Sequence, residues 1–274
     1  MRLYARFFAV VLLLTSTALS AVDEGTVVFS TSPIYSRVET VKLFTPLMNY
    51  LSEMTGKKFE IDTAANFIEY SVRMRLNKYD MLFDEPHFVG WRLASQEHAP
   101  IARLPGEFKI VVIAKGDSDL GSMAELEGGF ARVCAAPAPD MVTMAFLSYY
   151  PNPVRQPNLV RTQGLQELKE CLDRGRGEAA VLSASDWEGI SENEKTSLKV
   201  VAVPPHAYPE RTFTVGPRID DALREQIAQA LLSEEGQKAS QGIFERFNKK
   251  NLIAAKPDEY QGLEQLLSSM WGFH

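Results

Sequence analysis

The chain has 274 residues, 45% hydrophobic and 23% charged, with 29 basic against 35 acidic side chains and a formal net charge of −6. That balance belongs to a globular protein with material for one large or two medium domains. An acidic chain without a basic run is not built for nucleic acid or an anionic membrane surface as its main partner.

Residues 1–21, "MRLYARFFAVVLLLTSTALSA", place Arg2 and Arg6 before the apolar run Phe7 to Leu14 and small residues after it. Basic, apolar and small-residue regions in that order read as a secretory signal peptide, too short in its apolar part to anchor in a bilayer, with cleavage expected near Ser20 or Ala21. Loss of Arg2 and Arg6 takes the net charge from −6 to −8. No cysteine follows to carry a lipid, and no later segment reaches the ~18 apolar residues of a membrane helix. The mature protein is expected outside the cytoplasm.

"TVVFSTSPIY" reads as an apolar strand entering a Ser-Pro turn. In "TPLMNYLSEMTG" the spacing predicts a helix with Thr45 as N-cap, Pro46 at the first helical position and Gly56 past the end. "KKFEIDTAANF" alternates like a strand, "IEYSVRMRLNK" has helical spacing through Ile68, Val72 and Leu76, and "YDMLF" is a second buried strand before the helical "HFVGWRLASQ". Strand and helix in alternation predict an α/β fold, a mainly parallel sheet with helices on both faces.

"FKIVVIAKGDSD" is an apolar strand ending in a break that suits a crossing between domains. A second unit repeats the grammar: "FARVCAAP", "DMVTMAFLSYY", "NLVRT", "LQELKECLDRG", "EAAVLSAS" and "LKVVAVPP". "YPERTFTVGPRI" then looks like a return strand, "IDDALREQIAQALLS" an amphipathic helix, and "PDEYQGLEQLLSSMW" a last helix with Tyr260, Leu263, Leu267 and Met270 on its apolar face. The only cysteines, Cys134 and Cys171, have no metal-ligand spacing. In an exported chain an even count favours one disulfide, with two reduced, buried thiols as the alternative.

In this order of segments, "PLMNYLSEMTGKKFEI", "YDMLFDEPHFVGW", "AELEGGFARVCAAPAP", "RGRGEAAVLSASDW" and "PDEYQGL" resemble the PhnD-like family, the phosphonate and phosphite type of periplasmic solute-binding proteins of ABC transporters. The resemblance spans nearly all of the mature chain. It implies a type II periplasmic-binding-protein fold: two lobes, each a mixed, mainly parallel sheet with flanking helices, ligand held between them, and hinge closure. The crossings are expected at Phe108 to Lys115 and Arg211 to Gly216, giving lobe one as 22–116 with 207–274 and lobe two as an inserted 117–206.

In such a lobe ligands sit beyond the carboxyl ends of strands, beside helix N-termini. That selects three turns. After the first strand, Ser32 is a candidate donor to a ligand oxygen and Tyr35 a candidate cover, against an ordinary Ser-Pro turn. In "DEPHF", Pro86 suits a first helical position, so one of Asp84 and Glu85 is expected to cap the helix and the other to face the cleft and select a cationic group. His87 is a candidate for a pH-dependent hydrogen bond.

In "APDMVT", phosphonate-binding members of the family are rich in Ser and Thr, whereas this chain has Pro139, Asp140, Met141, Val142 and Thr143. A carboxylate at the helix start repels an anion. Asp186 matches a place where family members can carry an acid that contacts a ligand amine. Asp84, Glu85, Asp140 and Asp186 together point to an amine-bearing or zwitterionic ligand. Tyr35, Tyr70, Phe88, Trp91, Tyr149 and Trp187 lie near these turns, mostly as packing, with some available for a cation-π wall. His98, His206 and His274 show no ligand spacing toward His87, so no metal is expected, and no cofactor.

The sequence therefore predicts a monomeric, exported, non-catalytic binding protein that captures a small molecule and delivers it to an ABC permease. A ligand sensor docking on a membrane receptor keeps the same fold. An exported enzyme is disfavoured because G-x-S-x-G, H-E-x-x-H, P-loop and G-x-G-x-x-G segments are all missing.

Overall fold

The computed structural model describes residues 25–270 and 272–273. The expected signal peptide, residues 1–21, lies outside them.

The first half begins β1 (Thr26–Thr31), α1 (Arg37–Thr55), β2 (Lys58–Ile61), α2 (Phe67–Arg75), β3 (Met81–Asp84), α3 (Pro86–Gln96), β4 (Ala99–Arg103) and β5 (Glu107–Phe108). It continues through β6 (Ile110–Lys115), β7 (Arg132–Ala135), α4 (Met141–Leu147), β8 (Asn158–Arg161), α5 (Gly164–Asp173), β9 (Ala179–Ser183), α6 (Ala184–Gly189) and α7 (Glu192–Lys195). The remainder is β10 (Leu198–Ala202), β11 (Tyr208–Pro209), β12 (Thr212–Val215), α8 (Asp221–Leu232), α9 (Glu234–Ala239), α10 (Gln241–Phe247) and β13 (Ile253–Ala254).

These strands form a six-stranded sheet in the order β13-β4-β12-β3-β1-β2 and a five-stranded sheet in the order β10-β6-β9-β7-β8. Both are mixed: β1 runs parallel to β2 and β3, and β7 parallel to β8 and β9, while β12 and β6 join them antiparallel. In the first sheet Phe29, Phe44, Phe83 and Phe213 interlock, with ring centroids 4.9 Å apart for Phe29–Phe44 and 4.4 Å for Phe83–Phe213. Helices α1, α8 and α10 close that face with Leu47, Ile227, Leu231 and Phe244, while Tyr70 of α2 and Phe88 of α3 pack the other face.

β6 explains itself as a strand buried on both faces. Ile110 and Val112 meet the core under α4, and Val111 and Ile113 the core under α5, so its sequence is an unbroken apolar run. It lies inside the five-stranded sheet, and β12 inside the six-stranded one. The segments expected as crossings are thus largely sheet strands, and the shorter β5 and β11 beside them pair antiparallel, Tyr208 opposite Phe108. Cys134 of β7 and Cys171 of α5 are joined by a disulfide, Cα atoms 6.2 Å apart, which fastens α5 to its sheet and closes a loop worth roughly 3 to 4 kcal/mol in the chain-entropy model.

Three local expectations are corrected. Helix α1 starts nine residues before Pro46, because Ser36 and Glu39 form a reciprocal capping box; Thr45 turns its hydroxyl back to the Val41 carbonyl instead of capping. Gly56 does end it, at φ 67°. On α2, Ile68, Val72 and Leu76 are exposed and the buried pair is Tyr70 and Met74, because Phe88, Tyr79 and Trp91 offer their apolar surface to that side. The last helix is two short 3-10 segments, Pro257–Tyr260 and Leu263–Leu267, separated by Gly262 at φ 84°. They lie so close on α3 that a Cβ at Gly90 would meet the Tyr260 carbonyl oxygen at 2.8 Å.

Candidate functional site

A cavity of about 500 Å³ opens between the two sheets. Tyr35 from the turn after β1, Glu85 from the end of β3, Asp140 and Met141 from the start of α4, and Asp186 from α6 line it. These are five of the expected contacts, brought together by the turns that follow four different strands, β1, β3, β7 and β9.

Four other expected residues stand behind the wall, each held by at least one internal hydrogen bond, with His87 Nδ1 left buried and without a partner among the described residues. Ser32, Asp84, His87 and Thr143 are each 0% exposed. Asp84 accepts from the Ser32 amide at 2.9 Å, from Arg92 Nη1 at 2.5 Å and from the Tyr70 hydroxyl. Arg92, itself fully buried, also donates to Thr214 Oγ1 at 3.1 Å. Thr143 donates to the Ala136 carbonyl.

His87 was expected to offer a pH-dependent bond. Its Nε2 lies 2.9 Å from the Pro139 carbonyl, a bond between α3 of one lobe and the entry to α4 of the other. Burial pulls the imidazole pKa down to about 3, so the ring is neutral and Nε2–H is the donor.

The expected cap at "DEPHF" is also corrected. Glu85 holds the N-cap position but makes no side-chain cap bond. Its carboxylate receives Ser32 Oγ at 3.1 Å and Arg211 Nη2 instead. Neither acid caps because each has a stronger charged partner, Arg92 for Asp84 and Arg211 for Glu85.

On the opposite wall the acids do serve their helices. Asp140 is the N-cap of α4, accepting from the Val142 amide at 2.9 Å. Burial, and then the Glu85 charge, raise its pKa from 3.8 to about 6. Asp186 sits in the first turn of α6, whose cap is Ser183: Ser183 Oγ accepts from the Asp186 amide at 3.0 Å and donates to Asp186 Oδ2 at 2.6 Å. Among the described residues neither Asp140 nor Asp186 has an ion-pair partner.

Reasoning from turns alone overlooked the cations of the cavity. Arg211 follows β11; Arg246, Phe247 and Lys249 come from the end of α10. Lys249 pairs with Glu210 at 2.7 Å. The Arg246 guanidinium carbon sits 4.5 Å from the Tyr35 ring centroid, and that of Arg211 5.2 Å from Phe247. Of the aromatic residues expected near the cleft, Tyr35 is thus covered by the protein's own Arg246 guanidinium rather than left for a ligand cation, and Arg211 likewise stacks on Phe247. The signal was present in "PERTF" and "FERFNKK", basic residues at a crossing and at a helix C-terminus, but only the fold brings those ends to the cleft.

The family model described as ABC transporter, phosphonate, periplasmic substrate-binding protein matches residues 29–260. Among curated proteins none matches the sequence. Among solved structures, the fold is similar to XAC2383 from Xanthomonas citri bound to ATP, with 14% identity, TM-score 0.72 and coverage of 88% of this chain and 95% of that one. It is likewise similar to PhnD1 from Prochlorococcus marinus in complex with methylphosphonate, at 16% identity, TM-score 0.67, 89% of this chain and 98% of that one. A binding protein component of an ABC phosphonate transporter from Pseudomonas aeruginosa is 16% identical with TM-score 0.62, over 89% of this chain and 86% of that one.

Proposed function

The chain belongs to the periplasmic substrate-binding proteins of phosphonate-type ABC transporters, and from that premise we propose that it captures an amine-bearing or zwitterionic solute in the cavity between its sheets and presents it to a membrane permease. The observation that carries the ligand class is the pair of acids on one wall, Asp140 and Asp186, that line the cavity without an ion-pair partner among the described residues. A ligand amine between them gains two charge-assisted hydrogen bonds, and its charge offsets the burial and then the Glu85 repulsion that hold the Asp140 pKa up. A simple oxyanion at the same place meets two carboxylates.

In this reading Tyr35, Glu85, Asp140, Met141 and Asp186 touch ligand, while Ser32, Asp84, His87 and Thr143 hold the turns in place. The two sheets are the lobes, the β5–β11 ribbon is the hinge, and the boundaries move from 116 and 207 to that ribbon. Transport rather than catalysis follows from the family, and the acids are binding groups.

A thermal-shift screen of the purified protein tests this, because a ligand of the native state raises the melting temperature by mass action. Amines and zwitterions are expected to shift it and Asp140→Asn or Asp186→Asn to abolish the shift. A shift from phosphonate, phosphite or sulfate alone overturns the reading.

A further inference from the structure

We infer that Arg211 is an oxyanion anchor held out of use by Glu85, so that the protein carries its own competitor for the negative end of a ligand. The inference rests on the cavity being the ligand site, and adds what that site rejects.

Arg211 stands at the second crossing, between β11 and β12, and its guanidinium lines the cavity. The Arg211 and Glu85 side chains are 13% and 4% exposed. Nη2 donates to Glu85 Oε1, Nη1 lies 3.4 Å from Ser32 Oγ, and Ser32 Oγ closes the triangle by donating to Glu85 Oε2 at 3.1 Å. Glu85 meets the guanidinium through one nitrogen only. The planar fork that would grip a phosphoryl or carboxylate group through two parallel bonds is instead divided between Glu85 and Ser32, and its charge is already compensated.

Burial tends to lower the Arg211 pKa, but the charges around it, Glu85 foremost, outweigh that and leave it raised. The guanidinium is therefore a permanent cation, and only its partner can be changed. An incoming oxyanion must displace a carboxylate that the fold keeps at high local concentration, and it gains little charge compensation by doing so. Asp140 lies near enough to feel both Glu85 and Arg211, so every negative group added at this corner meets a second carboxylate.

The test uses methylphosphonate and inorganic phosphate as probes, with affinities measured by titration calorimetry on the wild-type protein, Glu85→Gln, Arg211→Gln and the double variant. Gln keeps the shape of Glu85 and an acceptor for Ser32, but not the charge. Wild type is expected to bind either probe no tighter than millimolar, Glu85→Gln at least tenfold tighter, and the double variant to lose that gain. Micromolar binding of either probe by wild type overturns the inference, as does a Glu85→Gln protein with unchanged affinity or a gain that survives loss of Arg211. Should Glu85→Gln fail to fold, Glu85→Ala carries the same expectation, the anion itself filling the space.

The two proposals fail separately. Amine binding by wild type with no anion gain in Glu85→Gln overturns only the role of Arg211. An anion gain in Glu85→Gln with no amine bound by wild type overturns only the ligand class.

Discussion

The two walls of the cavity treat their carboxylates in opposite ways. On the wall built from the six-stranded sheet, Asp84 and Glu85 are taken up by Arg92 and Arg211, with Ser32 and Tyr70 filling their remaining acceptor sites. On the wall built from the five-stranded sheet, Asp140 and Asp186 have only a backbone amide and a serine hydroxyl. Two adjacent acids in sequence thus have their charge compensated inside the wall, and two acids 46 positions apart keep theirs without an ion-pair partner among the described residues. What decides is whether a guanidinium shares the burial.

The widest separation between the walls is expected at Arg92. Arg92→Met leaves Asp84 buried at 0% exposure with its charge uncompensated, a loss of about 3–5 kcal/mol, to be read from chemical denaturation. Adding Asp84→Asn is expected to recover a large part of it. On the facing wall, Asp186→Asn is expected to move stability by no more than about 0.5 kcal/mol. Equal losses at Asp84's partner and at Asp186 would erase the contrast.

A second effect runs with pH. The folded pKa of Asp140 is raised to about 6 from 3.8, so its contribution to stability is fully present below the unfolded value and is lost as pH climbs through the folded one. Asp140→Asn, which retains a capping acceptor for Val142, is expected to match wild type near pH 4 and exceed it by up to about 3 kcal/mol at pH 7.5. Paired unfolding curves at the two pH values give the difference directly, free of the opposite trend from neutral His87. A constant offset between them would place Asp140 in solvent.

A smaller effect than those of Arg92 and Asp140 sharpens the comparison on the second wall. Ser183→Ala removes the cap of α6 and is expected to cost about 1 kcal/mol. It also releases the Asp186 carboxylate from its hydroxyl donor, so ligand affinity is expected to change together with stability. Loss of stability alone would separate Asp186 from the ligand.

The sequence by itself determined the grammar of the fold. Apolar runs such as "YDMLF" and "FKIVVIAK" became strands, and the β-to-α turns at Tyr35, Glu85, Asp140 and Asp186 reached the cavity, because strand burial and helix starts are written in short-range order. Periodicity did not decide which face of α2 is covered, since Ile68, Val72 and Leu76 repeat as well as Tyr70 and Met74 do, and only neighbouring aromatic rings choose between them. Nor did it decide the charge of the cavity. Arg92 reaches back to Asp84 from eight positions on, along α3, and Arg211 reaches Glu85 from 126 positions away. Ion pairing depends on distance in space and on shared exclusion of water, and both are properties of the packed chain.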